Sequence, residues 1–244
     1  MRIPVEYRII SGRTTEVRKV MMDLSARYCG QKHRRGKKVK GRTTLRQMQA
    51  NEINAVKALA RILNCNWGTG DLWITLSYPE KMLPESLEAA KEDREKFLRK
   101  ARKEFKKQTG KSLRYVVTTS REKSDGSGRA RLHHHIVMDR MAYETIAKLW
   151  PAEDVTVRHM DGRGDYTGIA RYMVTNAGEP DGKKRWSSSK GLKKPIFTEP
   201  VPCSFSTKVK VPKNVSLKER NEFQDLETGM VSVYVRYTKV VMRN

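Results

Sequence analysis

The chain predicts an α+β fold, a mainly antiparallel sheet covered by helices. Three observations lead there. Between residues 72 and 176, short apolar, β-branched stretches alternate with amphipathic helical stretches in the order βαββαβ, followed by a further helix. Two of those strands are separated only by the turn Ser124-Asp125-Gly126-Ser127-Gly128, which makes them a hairpin and therefore antiparallel. Strongly basic segments flank this core on both sides. The expected organisation is a basic arm and helix over 1–66, a core domain over 67–180 and a basic C-terminal extension over 181–244 that packs on the same domain.

Taken in order, residues 1–42 read as basic and loop-rich, with seven Lys/Arg between Lys32 and Arg42. From Thr43/Thr44 to Leu63 an apolar stripe (Leu45, Met48, Ile53, Val56, Leu59, Ala60, Leu63) has helical spacing, with Thr44 able to cap its start. After the turn Trp67–Asp71, Leu72–Tyr78 reads as a largely buried strand ended by Pro79. A long helix follows over 85–108, with Leu87, Ala90, Phe97, Ala101 and Phe105 as its buried face and Thr109-Gly110-Lys111 as its stop. Leu113–Thr119 is the next strand, and Arg131–Asp139 its hairpin partner. A short helix (141–150), a strand (155–158), a turn (161–164) and a helix (166–176) complete the core. Beyond Pro212 the chain is polar until Met230–Tyr237 alternates as a last strand.

Charge narrows the function. The 244 residues carry 51 Lys+Arg against 27 Asp+Glu, a formal +24. Such a field attracts polyanions, and nucleic acid is the partner that phosphate contacts and counterion release favour. No apolar run approaches the roughly 20 residues of a membrane span, and Met1–Glu6 lacks a signal peptide's apolar core. Three widely spaced cysteines form no Cys-x-x-Cys pair, so neither a disulfide framework nor a zinc ribbon is indicated and a reducing cytoplasm is expected. Asn214-Val215-Ser216 matches a glycosylation sequon that has no secretory context. Gly110-Lys111-Ser112 is not a phosphate loop, because Phe105 stands where its first glycine belongs and the segment follows a helix. The run at 32–42, with Arg34, Arg35, Lys37 and Lys38, reads either as a solvated arm or as a phosphate-tracking one. Lys184, Arg185, Trp186, Lys193 and Lys194 combine cations with an aromatic ring, which suits single-stranded nucleic acid or a basic loop with a packed Trp.

Chemistry concentrates in Arg131-Leu132-His133-His134-His135-Ile136-Val137-Met138-Asp139. Strand alternation sends His133 and His135 to one face and His134 to the other, with Leu132, Ile136 and Met138. Two imidazoles on one face offer a bidentate site for a divalent ion, and three of the five histidines fall in this one strand. Glu122, on the preceding hairpin arm, can fold back beside them; two imidazoles and a carboxylate suit a catalytic cation, manganese more readily than magnesium. Tyr172, in the last core helix, offers a hydroxyl nucleophile, and Arg171 beside it a cation for the DNA backbone.

At these residues the chain resembles the HUH-superfamily endonucleases, specifically the rolling-circle replication initiators of plasmids, phages and integrated elements. Ile74-Thr75-Leu76-Ser77-Tyr78 is similar to the family's first motif, His133-His134-His135 to its His-hydrophobic-His motif, with a histidine in the middle, and Ala170-Arg171-Tyr172 to its tyrosine motif. Glu122 before Asp125-Gly126 is similar to the upstream acidic ligand, at a somewhat longer spacing; Thr175-Asn176 stands where a lysine is expected after the tyrosine. The resemblance implies an HUH/RRM-like sheet, a metal (Mn2+ or Mg2+) on His133, His135 and Glu122, and nicking of single-stranded DNA at a replication origin. It also implies a 5′-phosphotyrosine on Tyr172 and use of the host helicase and polymerase. Two-tyrosine relatives carry a second tyrosine four residues earlier. Gly168 stands there, while Tyr166 lies about 120° around the helix from Tyr172, so the single-tyrosine type is expected. A relaxase or single-strand transposase shares this chemistry, and a non-enzymatic DNA- or RNA-binding protein shares the charge.

Overall fold

A computed structural model describes residues 2–23, 44–122, 131–152, 154–177, 185–225, 227–228 and 230–240, with Glu122 and Arg131 described by backbone alone. The chain forms an α+β fold of two antiparallel sheets and, among the described residues, four α-helices. Contacts divide it into two compact units, one of residues 1–44 with 194–244 and one of residues 45–193. The sequence reading placed boundaries at 66 and 180 instead.

In the first unit, β1 (Arg2–Ser11) and β2 (Thr14–Asp23) form a hairpin where a basic, loop-rich arm was expected. Gly12, at φ 58°, makes its two-residue turn. Charged side chains alternate with apolar ones along both strands, which made them read as a basic tract. Strands β8 (Ile196–Phe197), β9 (Val201–Pro202), β10 (Val215–Gln224) and β11 (Val231–Lys239) complete a sheet ordered β10-β11-β2-β1-β8, with β9 also on β1. Val17, Val231, Val233, Val235 and Tyr237 form its apolar core. β10 was not expected, because as an edge strand it is largely exposed and need not alternate.

The second unit is the expected βαββαβ core. Its helices are α1 (Leu45–Asn66), α2 (Leu87–Thr109), α3 (Tyr143–Leu149) and α4 (Thr167–Thr175). Its strands are β3 (Leu72–Ser77), β4 (Tyr115–Glu122), β5 (Arg131–Met138), β6 (Asp154–His159) and the short β7 (Ser187–Ser188). They pair in the order β6-β3-β5-β4-β7. α2 is capped at both ends: Ser86 Oγ accepts from the Ala89 N–H, and Gly110, at φ 71°, closes it in the left-handed region.

Burial follows strand alternation. Leu72, Ile74, Leu76, Ile136 and Met138 pack with Phe97, Leu98, Ala101, Ile146 and Trp150 of the α2–α3 side. Val116 and Val137 face the other way, beneath Leu59 and Leu63 of α1 and Ala170, Met173 and Val174 of α4. The sheet is thus covered on both faces, and the α1–α4 layer sits over the face that carries His133 and His135. The β6–α4 connection is pinned to the turn before β3. Met160 N–H donates to Asp71 O, and Gly162 lies so close to Thr69 that a Cβ there would fall 1.9 Å from its Oγ1. That pinning sets where α4 starts, and so where its tyrosine lies.

Candidate active site

The three residues singled out for chemistry meet. His133 and His135 are both buried, with ring centroids 4.6 Å apart and planes at 81°. The Tyr172 ring lies 4.8 Å from that of His135 and 5.8 Å from Trp73, edge-on to each. α4 buries Ala170, Met173 and Val174, which leaves Tyr172 turned outward and 41% exposed. A cavity of about 470 Å³ opens between these groups, lined also by Thr75, Asp154, Thr156 and Arg158.

His135 is prepared to bind. Thr75, its cross-strand partner, places its hydroxyl 3.1 Å from Nδ1. A proton on Nδ1 shared with Thr75 leaves the lone pair on Nε2. Nε2 is buried and, among the described residues, has no hydrogen-bond partner. The same holds for Thr118 Oγ1 and Ser120 Oγ, whose residues stand in register with His135 and His133. Orphaned buried polar atoms are rare unless something else satisfies them. Burial, and then the neighbouring His133, push the His135 pKa down to about 3, so the ring is neutral, the form a metal takes. Among the described residues, no three His, Cys, Asp or Glu side chains converge tightly enough to hold an ion unaided. Glu122 stands opposite Arg131 at the end of β4, two positions beyond the Ser120–His133 pair, and its side chain lies outside the described residues.

His134 takes the opposite face, fully buried. Tyr78 Oη lies 2.9 Å from its Nε2 and Thr119 Oγ1 3.0 Å from its Nδ1, while Arg94 donates to Thr119. Burial first, then the charge of Arg94, push its pKa down to about 3. Both histidines therefore refuse a proton that the unfolded chain accepts below pH 6.5. Their stabilising contribution is complete above that pH and is lost on acidification toward 3, at up to about 1.4 kcal/mol per pH unit for each. In metal-free protein between pH 6.5 and 5, where carboxylates stay charged, His134→Gln is expected to remove roughly half of this slope in urea melts. Equal slopes for wild type and variant would show that His134 is not held neutral.

The remaining candidates lie elsewhere. Tyr166 is buried in the α1–α4 cluster, its N–H donating to Asn64. Arg171 is exposed on α4 beside Tyr172. Arg185 makes an ion pair with Glu52 at 3.0 Å, and Trp186 is half-buried against the same cluster. Lys193 is exposed, its backbone held at both N–H and C=O by Asn66, and Lys194 is exposed as well. None of these lines the cavity. Arg34, Arg35, Lys37, Lys38 and Lys184 lie outside the described residues. Sequence reasoning missed Trp73, Asp154 and Arg158 as cavity residues. The alternation of β6, with Val155 and Val157 packed inward and Asp154, Thr156 and Arg158 outward, was the available signal.

An antiparallel α+β unit with a paired-imidazole cavity faced by a tyrosine is what the fold and site define. Residues 71–177 match the family model of the ORF2-type replication-associated proteins. That segment runs from the start of β3 through α4 and includes every residue lining the cavity. The match is consistent with a replication initiator. No curated protein and no solved structure gives a significant match. Among the described residues no helix is long and apolar enough to cross a membrane.

Proposed function

We propose that the chain is a metal-dependent, site-specific endonuclease that nicks and rejoins single-stranded DNA to initiate rolling-circle replication of a plasmid, phage or integrated element. The observation that carries this reading is the placement of Tyr172 4.8 Å, ring to ring, from His135 across a cavity open to a strand. Tyr172 Oη attacks the scissile phosphorus, the P–O3′ bond breaks, and a 5′-phosphotyrosine forms. The phenol loses its proton and the departing 3′-oxygen gains one. The bond energy is retained for rejoining, and the free 3′-OH is available to a host polymerase behind a helicase.

His133 and His135 would hold the ion, Mn2+ or Mg2+, with Glu122 as third ligand; the orphaned, neutral His135 Nε2 fits that role. When bound, the cation supplies Lewis-acid neutralisation of phosphate charge. Thr75 orients His135, and Trp73 braces the edge of Tyr172. A protein with +24 net charge gathers the polyanion.

The test is incubation with single-stranded DNA from the element that carries the gene, with Mn2+, followed by denaturing electrophoresis. A covalent protein–DNA species that chelator prevents is expected; DNA left uncut and unlinked would contradict the reading. Glu122→Gln is expected to raise the Mn2+ needed for half-maximal cleavage by about tenfold or more. An unchanged metal titration would remove Glu122 from the site.

A further inference from the structure

We infer that Arg158 is a phosphate-binding residue of the cavity and holds a backbone phosphate of the single strand beside Tyr172. This rests on the reading that DNA enters the cavity. Three observations converge. Arg158 is the one cation among the described residues that line it. Its guanidinium lies over the Trp73 ring, 5.5 Å from the centroid, and Trp73 in turn meets Tyr172 at 5.8 Å. Among the described residues it has no carboxylate partner; the stacked Trp73 is its only contact of note.

The strand places it there. Arg158 is directly cross-strand from Trp73, and the alternation of β6 puts it on the cavity face while Val157 packs into the core. Asp154, the one carboxylate lining the cavity among the described residues, is four residues away on the same strand, roughly 13 Å at strand rise. At that distance in solvent the two charges do not neutralise each other. The positive charge therefore stays at the Tyr172 end of the cavity. β6 is an edge strand of its sheet, so the guanidinium meets an incoming chain first.

The chemistry specifies the ligand. A guanidinium offers a planar fork of donors that suits the two non-bridging oxygens of a phosphodiester, and stacking on an indole fixes the plane of that fork. Phosphoryl transfer also needs cations beside the reacting group, and neither flanking residue of α4 after Tyr172 (Met173, Val174) supplies one.

The experiment measures binding of the full chain to a single-stranded oligonucleotide in chelator, across a salt series, alongside adduct formation with Mn2+. Arg158→Ala is expected to flatten the log–log salt slope by about 0.7, the share of one phosphate contact on a single strand. Arg158→Lys should restore the slope. Lys100→Ala, an exposed cation on α2 over the opposite face of the sheet, should leave it unchanged. Adduct formation by Arg158→Ala should fall at least about tenfold. An unchanged slope in a variant with wild-type melting would overturn the inference, as would an equal loss from Lys100→Ala. The binding arm needs no cleavage. Absence of a wild-type adduct would count against the nuclease reading, while the slope would still decide the role of Arg158.

Discussion

Tyr172→Phe abolishes the covalent protein–DNA species and strand cleavage together. The expected loss is at least about 10³-fold, because the hydroxyl is the nucleophile and nothing else in the cavity replaces it. The substitution keeps the ring, which is what meets Trp73 and His135, so folding and DNA binding should match wild type. Tyr172 is 41% exposed, and its Oη is not a structural anchor. Tyr166→Phe is the matched control. Tyr166 is 3% exposed within the α1–α4 cluster, where an attacking role would require α4 to unpack. Retained cleavage by Tyr172→Phe in a folded protein would mean that another nucleophile, water included, performs the reaction.

His133→Ala and His135→Ala are each expected to lower Mn2+-dependent cleavage by about 10² or more while binding of DNA persists. They should also remove the rise in melting temperature that Mn2+ produces in wild type, a readout independent of activity. His134→Ala separates position from chemistry. It empties a fully buried site and strands the hydroxyls of Tyr78 and Thr119, so a stability loss of about 2–4 kcal/mol is expected. The folded fraction should still bind Mn2+. If His134→Ala alone abolished the Mn2+ shift in folded protein, the face assignment of β5 would be wrong.

Much of the second unit was legible because its signals are local. The 3.6-residue stripe of α1, the Gly110 stop of α2 and the two-residue alternation of β5 each lie within one segment. Alternation alone separated His133 and His135 from His134, and the structure places them on opposite faces. Tyr172 was found through its motif, and its approach to His135 depends on the Gly162–Thr69 contact that no periodicity reports. Trp73, Asp154 and Arg158 escaped because their common cavity is made by the pairing of β3 with β6, about 80 residues apart in the chain. In the first unit, β1, β2 and β10 were read as basic or polar tracts. Charge interleaved with apolar residues on exposed strands imitates a solvated loop.

The most direct test is to trap the adduct on single-stranded DNA with Mn2+, digest the protein and identify the peptide that carries the nucleotide by mass spectrometry. A phosphotyrosyl link on Tyr172 is expected, in a peptide following Arg171. A nucleotide on Tyr166, or on any residue outside the cavity, would contradict the proposed site.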